Sequence, residues 1–402
     1  MLTVRPVAEA IEIIKEHFGK FRTQSEWVTL DAALDRVLAQ DIISNEFVPD
    51  FNRSTVDGYA VIGSDIFGCS DTIPALLTRI GESFMGRHID LKVKKGQCVY
   101  VPTGGEVPEG ADTMIMLEYA EELGDGQVAI YKPAAPGTNM IFRGDDTKPG
   151  AVILPASRRI NVADTGTLAA LGVTEVPVMC QPRVGIITTG DELVLPGEKL
   201  ELGQIRDVNG PMLMHAVKET GGNPFFWGII QDDDTAIKAA IQTAIKDCDL
   251  LILTGGTSVG EKDAAPRVIS ELGTMLVHGL ASKPGKPTLF GEISGIPVFG
   301  LSGNPLAAYF MFYLLLRPLL FNMQGYQPLT HSITLPLERS IPSNHGREEF
   351  VPVKIQDEIV HPISSKSGLI TTLANTDGFI RIPRDLEGLP QGAMVEVTLF
   401  TR

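Results

Sequence analysis

The chain has 402 residues, 44% hydrophobic and 21% charged, and its 34 basic and 49 acidic side chains give a net charge of −15. At roughly 100–200 residues per domain, that length allows two to four domains with real cores. The acidic balance argues against sequence-independent nucleic-acid binding, which needs basic surface, yet a local basic cluster could still hold an anion. Cys69, Cys98, Cys180 and Cys248 show no CxxC spacing. They read as reduced, buried thiols of a cytoplasmic protein, not as a zinc site or a disulfide framework.

Val7 to Phe18 has apolar residues at helical spacing, with acidic residues among them, so it reads as an amphipathic helix and not a signal peptide. Leu30 to Leu38 predicts a second short helix, and Asp41 to Val48 an extended segment. Phe51 to Val61, FNRSTVDGYAV, packs Asn52, Arg53, Ser54 and Asp57 ahead of Gly58. Asp-Gly alone signals a hairpin turn, whereas Arg53 and Asp57 together suggest a site. Residues 70 to 140 are short apolar runs separated by Gly, Pro and Asp, the pattern of a small β domain. Within them PTGGEVPEG forms a Gly-rich turn, with Asp112 and Glu118 flanking the next strand. Arg143, Asp145 and Asp146 lie in a Gly/Pro-bounded loop, where paired aspartates either hold Mg²⁺ or face solvent. Asn161 to Leu171 reads as a helix ending at Gly172.

From Pro182 the pattern alternates. Strands at Arg183–Thr188, Phe225–Ile230, Leu250–Leu253 and Val298–Leu301 are separated by helices at Met212–Thr220 and Asp234–Ile245, which predicts a parallel sheet covered on both faces. Ligands of such sheets sit beyond the carboxyl ends of the strands. Three of those ends carry glycine with polar residues: TTGDE, TGGTSVGEKD and GLSGNP. Backbone N–H groups in glycine turns suit phosphate, and carboxylates beside them suit a divalent metal. Asn304 and Pro305 form an N-cap and first turn for the apolar stretch Leu306–Phe321. That stretch contains Arg317 and Pro318 and reads as a buried helix, not a membrane segment. Lys283 and Lys286 on the KPGKP loop form a stiff cationic pocket, a candidate oxyanion site. After Gln324 short alternating strands return, predicting a terminal β barrel.

The stretches NRSTVDGYAV, PEGADTMIMLE, GTNMIFRGDD, ITTGDEL, TGGTSVGEKD, KPGKP, GLSGNP and GREEF, in this order, resemble the MoeA family of molybdopterin molybdenumtransferases. The resemblance implies a multidomain α/β plus β fold. An extended N-terminal, dimerising domain would span 1–49 and 141–179, an inserted β domain 50–140, a molybdopterin-binding α/β domain 180–325 and a C-terminal β barrel 326–402. It implies a cytoplasmic homodimer that uses Mg²⁺ to react adenylylated molybdopterin with molybdate, giving molybdenum cofactor and AMP. Transient contact with the molybdopterin adenylyltransferase and with client molybdoenzymes is expected, and contact with nucleic acid or membrane is not.

The implied catalytic residues are Asp57, from the partner subunit, with Asp145, Glu192 and Asp263; Glu192, Asp232 and Asp263 are the metal candidates. Thr189, Gly190, Gly255, Gly256, Thr257, Ser258, Gly303, Asn304 and Pro305 would hold the pterin phosphate or adenylate. Lys283, Lys286, Arg347 and Ser367 would hold molybdate. Ser302 stands where the family has proline, and Leu306-Ala307 where it has Val-Ser. A hydroxyl that could reach the oxyanion is therefore missing, which leaves molybdate or tungstate open. A non-catalytic molybdopterin carrier or scaffold is the alternative reading. The related adenylyltransferase fits less well, because it is one α/β domain without the flanking modules.

Overall fold

A computed structural model describes residues 4–256, 264–363 and 371–400. The chain divides into two compact units, one of Met1–Ala39, Ser157–Asn161 and Glu175–Arg402, the other of Gln40–Ala156 and Val162–Thr174. The principal helices are α1 (Val7–Phe18), α2 (Val162–Ala170), α3 (Asn209–Glu219), α4 (Asp234–Ala244), α5 (Ala264–Leu272), α6 (Pro305–Met311) and α7 (Arg317–Met323).

The first unit is built on a six-stranded sheet in the order Asn223–Ile230, Arg183–Thr189, Leu250–Thr254, Ile296–Leu301, Leu289–Ile293, Thr274–His278. The first four strands are parallel, and the last two run antiparallel to their neighbours. The parallel expectation thus holds for four strands. Leu289–Ile293 enters the fourth parallel strand without a helix: Ser294 and Gly295, both at positive φ (52° and 82°), make the tight turn into Ile296–Leu301.

Leu250–Thr254 is apolar almost throughout because it is buried on both faces. Leu250 and Ile252 pack into one cluster with α1, α3, α6 and α7, whereas Leu251 and Leu253 pack into another with α4 and α5. Each such side chain contributes about 1.5–3 kcal/mol of burial. Pro305–Met323 has the length and apolarity of a membrane span. Its Leu306, Phe310, Met311, Leu316 and Leu320 instead form the centre of the first cluster. Between α6 and α7 the Phe312–Leu316 turn widens to a π-helix.

The terminal strands Glu348–Gln356, Gly378–Ile382, Met394–Leu399 and Ser332–Pro336 pair in that order, with Ile359–Pro362 on the free side of Glu348–Gln356. A Leu337–Val360 bridge and the Glu338 N–H to Val360 O bond (2.9 Å) bring the two ends together, so the sheet closes as the expected barrel. Phe379, Phe400 and Phe350 of this layer meet Phe310 and Tyr313 edge-on or tilted at 5.0–6.4 Å.

The second unit carries a six-stranded sheet ordered Thr113–Met116, Gly58–Val61, Gln97–Val101, Ala75–Glu82, Gln127–Ile130, Ala120–Glu122. Alternation places Tyr59 and Val61 in one small core and Ala60 in another. α2 ends as expected at Gly172, with φ of 67°. Leu30–Leu38 is not a helix beyond the short 3₁₀ turn Leu30–Ala32. Asp35 takes φ 63° and Leu38 bridges Val178, so burial beside a strand overrides the helical spacing. Of the four thiols, only Cys98 and Cys248 are fully buried; Cys69 and Cys180 are half-buried, and all four are free. Burial pushes Cys98 up to about 12 and Cys248 up to about 11.

Candidate active site

The four parallel strands end nearly flush, with Thr188 opposite Thr254 and Thr254 opposite Leu301. Past those ends the chain closes tightly. Gly255 takes φ 92°, and a Cβ there would lie 2.2 Å from the Thr189 carbonyl oxygen. A Cβ on Gly256 (φ 56°) would lie 3.0 Å from both Thr189 Oγ1 and Asp232 Oδ1, and one on Gly190 would lie 3.0 Å from both Glu192 carboxylate oxygens. These loops need glycine because acids and backbone of neighbouring loops fill the space a side chain would take. Thr189, Gly190, Glu192, Asp232, Gly255 and Gly256 are thereby brought together. Asp191 Oδ1 accepts from the Asp232 N–H at 3.2 Å.

The Ser302–Pro305 turn reaches the same edge. Asn304 Oδ1 caps α6 by accepting from Ala307 N–H at 3.3 Å, with Pro305 in the first turn as expected. Ser302 Oγ accepts from Asn304 N–H at 3.2 Å. Ala307 is buried, and its backbone N–H is spent on the cap.

Asn209 and Asp207, which the sequence reading passed over, organise this edge. Asn209 Nδ2 donates to Thr254 Oγ1 (2.7 Å) and to the Gly303 carbonyl (3.0 Å), tying the second glycine loop to the third. Asp207 Oδ1 accepts from Gly210 N–H in the first turn of α3 at 3.0 Å. The available signal was RDVNGP, two short polar residues just before a Gly-Pro helix start. Thr189 Oγ1, Asp207 Oδ2, Asn209 Oδ1, Ser282 Oγ and Thr288 Oγ1 are buried without a hydrogen-bond partner. Buried polar atoms are normally satisfied, so this concentration marks an edge prepared for a polar ligand or ordered water. A cavity of about 890 Å³ opens beside Gly190, Asp191, Trp227, Asp232 and Asp233, a size that suits a heterocycle with its phosphate. A cavity of about 790 Å³ between α1, α7 and the barrel has no glycine loop and is lined mainly by apolar side chains.

The lysine loop lies at the same edge, because Leu289 opposes Gly300 near the end of the antiparallel partner strand. Gly285 takes φ 96°, and a Cβ there would meet Met311 Sδ at 2.6 Å. Lys283 is not an isolated cation: its Nζ lies 2.7 Å from Glu349 Oε1. Lys286 is half-buried, and Arg347 is exposed. Thr257, Ser258, Asp263 and Ser367 lie outside the described residues. Among the described residues no three His, Cys, Asp or Glu side chains gather as a metal site.

Asp57 and Asp145 belong to the second unit. Asp57 is exposed, and its Oδ1 accepts from Thr103 N–H at 2.8 Å. The Ser54 carbonyl accepts from Gly104 N–H at 2.8 Å, so the DG and TGG turns form one surface. Asp145 Oδ2 accepts from Phe142 N–H at 2.7 Å. Arg143 pairs with Asp50 at 2.8 Å and lies 4.2 Å over the Phe47 ring.

Residues 5–172 match the family model of the MoeA N-terminal region (domain I and II), and 334–400 match that of the MoeA C-terminal region (domain IV). Residues 185–322 match the model described as "Probable molybdopterin binding domain". The molybdopterin molybdenumtransferase of Bacillus subtilis is 34% identical over 405 residues, covering 98% of this chain and 94% of that protein. The one from Haemophilus influenzae is 35% identical over 388 residues, covering 94% and 95%. Two crystal structures of the molybdopterin biosynthesis MoeA protein of Pyrococcus horikoshii superpose with TM-scores of 0.88, at 38% and 33% identity, covering 100% and 99% of this chain and 100% of each of those. With its sheet edge, glycine loops and terminal barrel matched along the whole length, the chain belongs to the MoeA family.

Proposed function

We propose that this chain is a molybdopterin molybdenumtransferase that inserts molybdate into adenylylated molybdopterin and releases AMP, the last step of molybdenum cofactor synthesis. The observation that carries the reading is the meeting, at one sheet edge, of glycine turns, unpartnered buried hydroxyl and amide oxygens, two carboxylates and the lysine loop. The names of the relatives agree with it.

In this reading Gly255, whose N–H donates to the Leu301 carbonyl at 3.2 Å, shapes the turn, and the Gly256 N–H, with Thr257 and Ser258, holds the phosphate. Thr189, Gly190, Gly303, Asn304 and Pro305 shape the adenylate side. Lys283, Lys286, Arg347 and Ser367 take the oxyanion. The donors suit Mg²⁺: Glu192 and Asp232 are hard oxygen ligands beside a phosphate turn, and Mg²⁺ commonly uses one or two carboxylates plus substrate phosphate. Glu192 and Asp232, with Asp263, would hold it. When bound, the ion neutralises charge on the phosphate oxygens. Asp57 acts from the partner subunit of a cytoplasmic homodimer, and Asp145 is a further acidic residue for metal binding or water activation.

The test is incubation of the full-length protein with adenylylated molybdopterin, Mg²⁺ and molybdate. AMP release that requires molybdate, together with reconstitution of an apo-molybdoenzyme, is the expected result, and Asp263→Asn abolishes it. A tungstate arm reads the effect of Ser302 and Ala307. Tight pterin binding with no AMP release overturns the enzymatic reading in favour of a carrier.

A further inference from the structure

We infer that Glu349 is a positioning residue for Lys283 and that its charge sets how strongly the lysine loop discriminates dianionic from monoanionic oxyanions. The inference rests on the proposed role of Lys283 as an oxyanion ligand. Lys283 belongs to a two-residue strand, Ser282–Lys283, that pairs in parallel with Glu348–Gln356 and places Lys283 opposite Glu349. Neighbours in such a register face the same side. The carboxylate is the fixed partner: its side chain is 12% exposed against 55% for Lys283. Its second oxygen, Oε2, accepts from Ser343 Oγ at 2.9 Å. The adjacent Glu348 turns to the opposite face of the strand, the face of Phe350, and pairs there with the exposed Arg381, so Glu349 alone of the two faces the loop.

The consequences follow from charge and geometry. An ammonium has three N–H donors, and Glu349 occupies one of them. The other two remain for a ligand, aimed from a position that the carboxylate holds. The same carboxylate opposes any anion that arrives. Its repulsion grows with ligand charge, so its removal helps a dianion twice as much, in free energy, as a monoanion.

The experiment uses the full-length protein and two tetrahedral probes, molybdate (dianion) and perrhenate (monoanion), with affinities from calorimetry and turnover from AMP release. Glu349→Gln is expected to tighten molybdate by about tenfold and perrhenate by about threefold. It should also lower both KM for molybdate and kcat, because the ammonium is no longer held. Ser343→Ala keeps the charge and loosens one oxygen, so it should lower kcat while the ratio of molybdate to perrhenate affinity stays unchanged, which serves if Glu349→Gln does not fold. Unchanged affinities in Glu349→Gln, or an unchanged kcat in Ser343→Ala, while Lys283→Gln abolishes molybdate binding, overturn this inference and leave the proposed function standing. Molybdate binding that survives Lys283→Gln overturns the oxyanion role of Lys283 and the inference with it.

Discussion

Two polar regions of this chain look alike as sequence and differ as structure. At the carboxyl edge of the α/β sheet, polar atoms on Thr189, Asp207 and Asn209 are buried with nothing to bond. On the second unit, the NRSTVDG and FRGDD turns are nearly self-satisfied: Asp57 caps Thr103, Asp145 caps Phe142, and Arg143 is held by Asp50 and Phe47. Unmet hydrogen bonds in a close-packed edge predispose it to a ligand. A surface whose groups already bond one another is shaped in advance and presents charge without reorganising. The first region is expected to be sensitive to any change of shape, the second to changes of charge.

Gly255→Ala should strike hardest. The added methyl collides with the Thr189 carbonyl at a positive φ, so urea unfolding should show a loss of about 3 kcal/mol, with turnover abolished. A loss below 1 kcal/mol would mean that the edge is looser than its geometry. Asn209→Leu comes next. It leaves the Gly303 carbonyl without its donor and should cost about 1–3 kcal/mol, with phosphate binding weakened more than oxyanion binding. Asp57→Asn keeps an acceptor for Thr103 N–H, so stability should move by less than about 1 kcal/mol while turnover falls. Mixed dimers of Asp57→Asn with Lys283→Gln should recover part of the activity; no recovery would break the two-subunit assignment. Arg143→Lys is expected to be the mildest, within about 1 kcal/mol in thermal unfolding, because its ion pair is exposed.

Helices and buried strands were legible where one pattern dominated. Val7–Phe18 forms as read, because its apolar residues share one face, and Leu250–Thr254 because an unbroken apolar run suits a doubly covered strand. Leu30–Leu38 was misread, because helical spacing also fits a segment whose alternate contacts are tertiary. Thr274–His278 and Leu289–Ile293 were passed over, since short runs flanking a Pro/Gly loop carry no period long enough to separate from coil. In the site, the glycine turns were visible because glycine beside polar residues ends each apolar run. Asn209 was invisible as a tie between loops, since its partners, Thr254 and Gly303, are 45 and 94 positions away. The pairing of Lys283 with Glu349 is likewise a long-range fact, spanning 66 positions.

The Ser282–Lys283 strand is contributed by a loop of the α/β sheet, yet its pairing partner is in the barrel. Its amides should therefore exchange with deuterium on the schedule of the Glu348–Gln356 strand and not on that of Leu250–Thr254. Any excursion that opens the barrel also withdraws the lysine from the sheet edge. The C-terminal layer thus acts as a thermodynamic brace for a loop it does not encode, and a destabilising change deep in that layer can weaken ligand binding without touching a ligand-binding residue.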